Sequence, residues 1–224
     1  MIVSAGYNAL FLDADAVLVR PPAAVMVAAA AGAADLVAST GSFPPKLTAA
    51  WGAAVCTGFF FVRAAAPASL DLLDRALRET VHVFDDQIGM NVALLEVGVR
   101  WERGNISFPN GAPLCRGVAS LPAGDLRVAM LNPGHYVRHC DKYPREDATL
   151  LHCRSHKDAA SKHDAMRAQG IWLLREGWEG DEYCEAAGGD WERFLDLVSD
   201  ADTAAGAAAS GDAAAGRRPK EAPA

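Results

Sequence analysis

The sequence predicts an α/β domain, a sheet covered by helices, and three observations carry that reading. Ala9-Leu10-Phe11-Leu12 is a short unbroken apolar run, the pattern of a strand buried on both faces of a helix-covered parallel sheet. An alanine- and valine-rich stretch, Ala23 to Gly32, reads as a helix, and Asp35 to Thr40 reads as the next strand, which makes a strand–helix–strand unit. Val55 to Arg63 (Val-Cys-Thr-Gly-Phe-Phe-Phe-Val-Arg) is the strongest strand signal in the chain, rich in aromatic and β-branched residues.

Each element follows from local chemistry. Pro21-Pro22 suits the start of the first helix, and Gly32 its end. Gly41 to Gly52, with Pro44-Pro45 inside it, reads as a loop. Gly58 inside the aromatic strand predicts a bulge or a close backbone approach by another group. Pro67 to Thr80 has leucines 70, 73 and 77 at helical spacing and reads as an amphipathic helix. Asp85 or Asp86 can cap a further helix running to about Glu96. Val97 to Glu102, Val118 to Leu121 and Arg127 to Leu131 are shorter strand candidates, and Asn132-Pro133-Gly134-His135 is a turn. Ala148 to His152 reads as a last apolar strand ending in a histidine, with a cationic segment from Cys153 to Gln169 behind it. Gly170 to Leu174 closes the folded part, and Trp191 to Val198 reads as a short added helix. The expected organisation is one domain over 1–198 and a disordered low-complexity tail of Ala, Gly and Ser over 199–224.

The totals bound the function. A chain of 224 residues suffices for one substantial α/β domain. A net charge of −7 and a pI near 5.3 give no electrostatic footprint for nucleic acid, so no nucleic-acid partner is expected. No apolar stretch reaches the length of a membrane span, and no signal peptide is visible. Cysteines 56, 115, 140, 153 and 184 include no Cys-x-x-Cys pair, which argues against structural zinc. One or two disulfides fit the count, and none is required.

Polar clusters at element ends carry the chemistry. Asp13-Ala14-Asp15 stands at the end of the first strand, where open α/β sheets bind ligands. Asp-x-Asp alone also fits a solvated turn or a helix cap. Burying two unpaired carboxylates is costly, however, and a divalent cation offsets their charge. His152 can complete a site for Mn²⁺ or Mg²⁺, with Mn²⁺ tolerating the imidazole better. Lys162 can neutralise a leaving diphosphate, and Asp85-Asp86-Gln87 can orient sugar hydroxyls. Singly, His152 fits a buried hydrogen-bonded histidine, Lys162 a solvated helix residue, and Asp85 or Asp86 a cap.

Four segments, in order, carry a resemblance. They are Gly6-Tyr7-Asn8-Ala9-Leu10-Phe11-Leu12-Asp13-Ala14-Asp15-Ala16-Val17; Thr57-Gly58-Phe59-Phe60-Phe61-Val62-Arg63; Asp86-Gln87 with Asn91; and His152 with Lys162 and Gly170-Ile171-Trp172. Together they resemble the nucleotide-diphospho-sugar transferases, retaining glycosyltransferases of the plant and algal cell-wall type. The resemblance implies a GT-A-like, Rossmann-type mixed sheet flanked by helices, here lacking its first strands. It also implies metal-dependent transfer of a sugar, with retention, from a nucleotide-sugar donor, usually a UDP-sugar, to a glycan or glycoprotein acceptor. By the same resemblance Asp13, Asp15 and His152 are metal ligands. Asp13, Thr57, Gly58 and Lys162 bind the donor, and Asp86 and Gln87 line the catalytic side. A Golgi address is implied in the same way. Cys56 and Arg154 stand where such proteins often carry Asn, and no glycine precedes Lys162. Two other readings remain: a non-catalytic glycan-binding or scaffold relative, and a metal-dependent phosphohydrolase. Ala16-Val17-Leu18 fits the latter poorly.

Overall fold

The computed structural model describes residues 3–30, 32–64, 66–140, 142–143, 145–153 and 159–172. The expected helix at Trp191, the tail and Arg154 lie outside these residues. Residues 1–171 form one compact unit.

A six-stranded mixed sheet runs in the order β1-β4-β3-β7-β6-β5. Its strands are β1 (Ala9–Leu12), β3 (Leu36–Gly41), β4 (Ala54–Val62), β5 (Arg100–Trp101), β6 (Leu114–Leu121) and β7 (Gly124–Leu131). Strands β3 and β7 are parallel, and the other neighbours are antiparallel. A second sheet, β2-β9-β8, joins Val17–Leu18 (β2), Tyr136–Val137 (β8) and Leu150–Leu151 (β9). The helices are α1 (Ala23–Ala30), α2 (Pro45–Trp51), α3 (Pro67–Val83), α4 (Asp86–Glu96) and α5 (Ala159–Ala168). This is the helix-flanked mixed sheet that the sequence predicts.

Strand alternation sorts the core into two faces. Leu36, Ala38, Val128 and Met130 join α2, α3 and α4 residues such as Trp51, Leu72 and Leu94 on one side. Val37, Ala129 and Leu131 join Val25 of α1, Tyr136 and Leu150 on the other. Strand β4 changes sides midway. Its partner register jumps from Ala38↔Phe60 to Ser39↔Cys56, so Thr57, Gly58 and Phe59 have no partner on β3. Val55 therefore faces the first cluster and Phe59 the second. This is the irregularity expected at Gly58.

Three local expectations change. β1 is not buried on both faces. Among the described residues it is bonded to β4 alone and antiparallel to it, and Leu10 and Phe11 are 40% and 46% exposed. Apolar continuity over four residues does not distinguish a central strand from an edge. The 41–52 loop contains α2, because Pro45 occupies the first turn, where its missing N–H costs nothing, and Leu47 and Trp51 are buried. Gly52 ends that helix in the left-handed region at φ 84°. Helix α3 forms, but it buries Ala68, Leu72 and Ala76 and leaves Leu70 and Leu77 exposed. The small residues win because α4 comes close: a Cβ on Gly89 would lie 2.9 Å from the Ala76 carbonyl oxygen.

At the far end of the sheet from Asp13, the carboxylate of Asp35 is buried between two arginines. It accepts from Arg127 N–H at 2.8 Å, from Arg127 Nε at 3.2 Å and from Arg63 Nε at 3.0 Å. Burial opposes its charge, but the Arg127 and Arg63 guanidinium groups outweigh that and lower its pKa.

Candidate metal and donor site

The site is assembled by three backbone pairings. Asp13 follows β1 and still donates its N–H to the Gly58 carbonyl at 3.0 Å. Its own carbonyl accepts from Ala16 N–H at 3.0 Å, which turns the chain and sets Asp15 on the turn. β2 then pairs Val17 with Leu151 of β9, so the chain before Val17 meets the residue after Leu151, His152. His152 N–H donates to the Val137 carbonyl at 2.9 Å, which fixes the end of β9 against β8.

One donor atom from each of Asp13, Asp15 and His152 lies within 4.8 Å of the others. Nε2 of His152 is 3.5 Å from an Asp13 carboxylate oxygen and 3.4 Å from one of Asp15. The histidine is 5% exposed. Gly58 makes the approach possible, since a Cβ there would lie 2.1 Å from Cε1 of His152 and 2.7 Å from Oδ2 of Asp13. The close approach read from the sequence is thus made by the late histidine.

The Asp13 and Asp15 carboxylates meet cationic groups from two segments, His152 and Lys162. Burial opposes ionisation of His152, but the Asp15 carboxylate and the Cys56 sulfur outweigh it and raise the imidazole to about 9. Asp15 is held well below the ordinary carboxylate range, its hydrogen bond to His152 outweighing the opposing effect of burial, with Lys162 adding to it. The Lys162 ammonium, on α5, sits directly against Oδ2 of Asp15. That oxygen is buried, and the Lys162 ammonium is its partner. Two carboxylates with an imidazole make a hard-to-borderline donor set, which fits a small divalent cation. A cation taking that place displaces the imidazole proton.

The other predicted residues are described by their local contacts and burial. Asp85 caps α4, accepting from Ile88 N–H at 2.8 Å. Asp86 is exposed in the first turn of that helix. The Gln87 amide donates to the Phe43 carbonyl at 2.6 Å. Thr57 is buried beside Gly58 on β4. Asn91 is fully buried and holds both backbone groups of Val55, each at 2.8 Å.

Sequence reasoning missed Arg138, whose guanidinium NH1 contacts Cys56 Sγ and lies 3.4 Å from Nδ1 of His152. It follows a strand of only two residues, too short for a periodic signal. A disulfide, Cys140–Cys153, sits just beyond Arg138 and His152. Its pairing has no sequence signal either, since the count allowed several.

The model of one family, described as nucleotide-diphospho-sugar transferase, matches residues 1–166. No curated protein and no solved structure matches the chain.

Proposed function

Since the chain belongs to the nucleotide-diphospho-sugar transferase family, we propose that it moves a sugar, with retention, from a UDP-sugar to a glycan or glycoprotein acceptor in a metal-dependent reaction. The observation that carries this reading is the convergence of Asp13, Asp15 and His152 from distant segments. Those three residues hold the cation, Mn²⁺ ahead of Mg²⁺ because one donor is an imidazole. When bound, the cation supplies Lewis-acid neutralisation of the diphosphate leaving group.

The chain's own groups do the rest. The Lys162 ammonium neutralises the Asp15 carboxylate. Lys162 would contact a phosphate oxygen of the donor and stabilise charge as the diphosphate leaves. The glycine at 58 leaves room for His152 beside Asp13. Asp86 and Gln87 orient the sugar and the acceptor hydroxyl. The Cys140–Cys153 bridge supports a secretory address such as the Golgi lumen, because disulfides persist in oxidising compartments.

Thermal unfolding with UDP and Mn²⁺ together tests this reading. Saturation at a hundred times Kd stabilises by about 2.7 kcal/mol by mass action. Asp15→Ala should remove that gain. No shift in the unaltered chain, or an equal shift in the variant, would contradict the reading.

A further inference from the structure

Helix α3 carries an apolar stripe on the side turned away from the core. Leu77 and Val81 are 63% and 62% exposed, Leu70 is exposed as well, and Phe84, the residue that caps the helix, is 92% exposed. Spacings of seven and four residues return to one face of a helix, so the four side chains form one line. Half-buried Leu73 borders that line and packs on the core beneath. Phe84 is held outward under strain. Its φ of 54° is left-handed, a conformation that bulky side chains rarely take and that helix ends usually give to glycine. Core packing does not explain a ring so exposed.

We propose that this stripe is an interface between two copies of the chain, which pair α3 against α3, antiparallel, about a two-fold axis at Leu77. The spacing is symmetric about that residue. The axis sets Leu77 against Leu77, Leu70 against the second copy's Phe84, and Leu73 against its Val81. A two-fold interface requires this self-complementarity, the same patch meeting itself. The charges select the antiparallel arrangement. Asp74 and Arg78 form an exposed ion pair along one flank of the stripe. With the helices antiparallel, Asp74 of each copy lies beside Arg78 of the other, roughly 3 Å apart along the helix axis. Parallel helices would set Asp74 against Asp74 and Arg78 against Arg78, which like-charge repulsion disfavours. A sugar chain or a nucleotide is a poor occupant, because leucine and valine side chains offer it no hydrogen bond. From Leu70 to Phe84 the stripe runs roughly 21 Å. One helix face of that length falls short of a standard interface, so the association is reversible and depends on concentration.

Sedimentation equilibrium of the full chain tests the proposal. The unaltered chain should pass from monomer to dimer as concentration rises. Leu77→Glu should weaken that association by roughly a hundredfold, because central positions carry most of an interface's energy and the axis uses this one twice. Leu77 is exposed, so the substitution should leave the fold intact, which an unchanged urea midpoint checks. Val81→Glu serves if that midpoint moves. Asp74→Arg and Arg78→Asp should each weaken self-association, and an equimolar mixture of the two variants should restore it as a heterodimer, since each copy then meets opposite charge. A role for that ion pair within α3 alone would not be rescued by mixing. A monomer at every concentration, or a dimer that Leu77→Glu leaves as tight as before, overturns the proposal. A mixture no tighter than its parts overturns the antiparallel pairing.

Discussion

At the scale of the residue, Gly58 decides whether the site exists. A side chain there would occupy the space of His152 and Asp13 at once. Gly58→Ala should therefore abolish Mn²⁺ binding and lower the unfolding free energy by about 1–3 kcal/mol through overpacking. Chemical denaturation and calorimetry read the two effects separately, and unchanged Mn²⁺ affinity would show that the strand can retreat. The glycine was legible in the sequence as a breach in an aromatic strand; which group would fill it was not, because that depends on a pairing across most of the chain.

Asp35 makes the opposite kind of claim, about stability alone. Its folded pKa is lowered by Arg127 and Arg63 against the cost of burial. The stability it contributes is complete above its unfolded pKa, about 3.9, and drains away as pH falls through the lower folded value. Asp35→Asn should cost about 3 kcal/mol at neutral pH, because two guanidinium groups lose their counter-charge. It should also flatten the acid limb of stability below about pH 4. Urea midpoints taken across that limb check both, and an acid limb unchanged in the variant would remove Asp35 from the account.

At the scale of the element, the short strands matter more than the long ones. β2, β8 and β9 have two residues each, yet they deliver Asp15, Arg138 and His152 to one place. A two-residue strand has no period to read, so sequence patterns favoured β4 and the helices, caught β9 only as an apolar run ending in His152, and missed β8 and the pairing of this second sheet. Hairpin β6–β7 was read only in part, since Leu114–Gly117 has little alternation of its own. Helix α2 was read as a loop on its prolines, although Pro45 sits where a helix accepts one. The Cys140–Cys153 bridge stiffens the ends of β8 and β9, which at two residues each are too short to hold themselves. Cys140→Ser with Cys153→Ser should cost about 3 kcal/mol, as expected for a closed loop of this length. Mn²⁺ affinity should fall with it, since His152 adjoins the bridge. An unchanged urea midpoint would show that the strands need no staple.

At the scale of the molecule, the sheet separates stability from chemistry. The arginine-clamped Asp35 lies at one end and the acidic pair with its histidine at the other, where β1 ends. Strand β4 links them, carrying Arg63 beyond its last residue and Gly58 in its middle. The fold class, the acidic pair and the late histidine were legible from patterns within single segments. The Arg138–Cys56 contact and the Asp35 cluster were not, since each joins segments whose residues look ordinary in isolation.

The most direct measurement is the anomalous diffraction of crystals grown with Mn²⁺ and UDP. The account predicts one strong manganese peak bonded to Asp13, Asp15 and Nε2 of His152 at roughly 2.1 Å, a distance usual for small hard cations, with the Lys162 ammonium moved from Asp15 to a phosphate oxygen. A nucleotide and manganese bound elsewhere, with Lys162 still on Asp15, would contradict it.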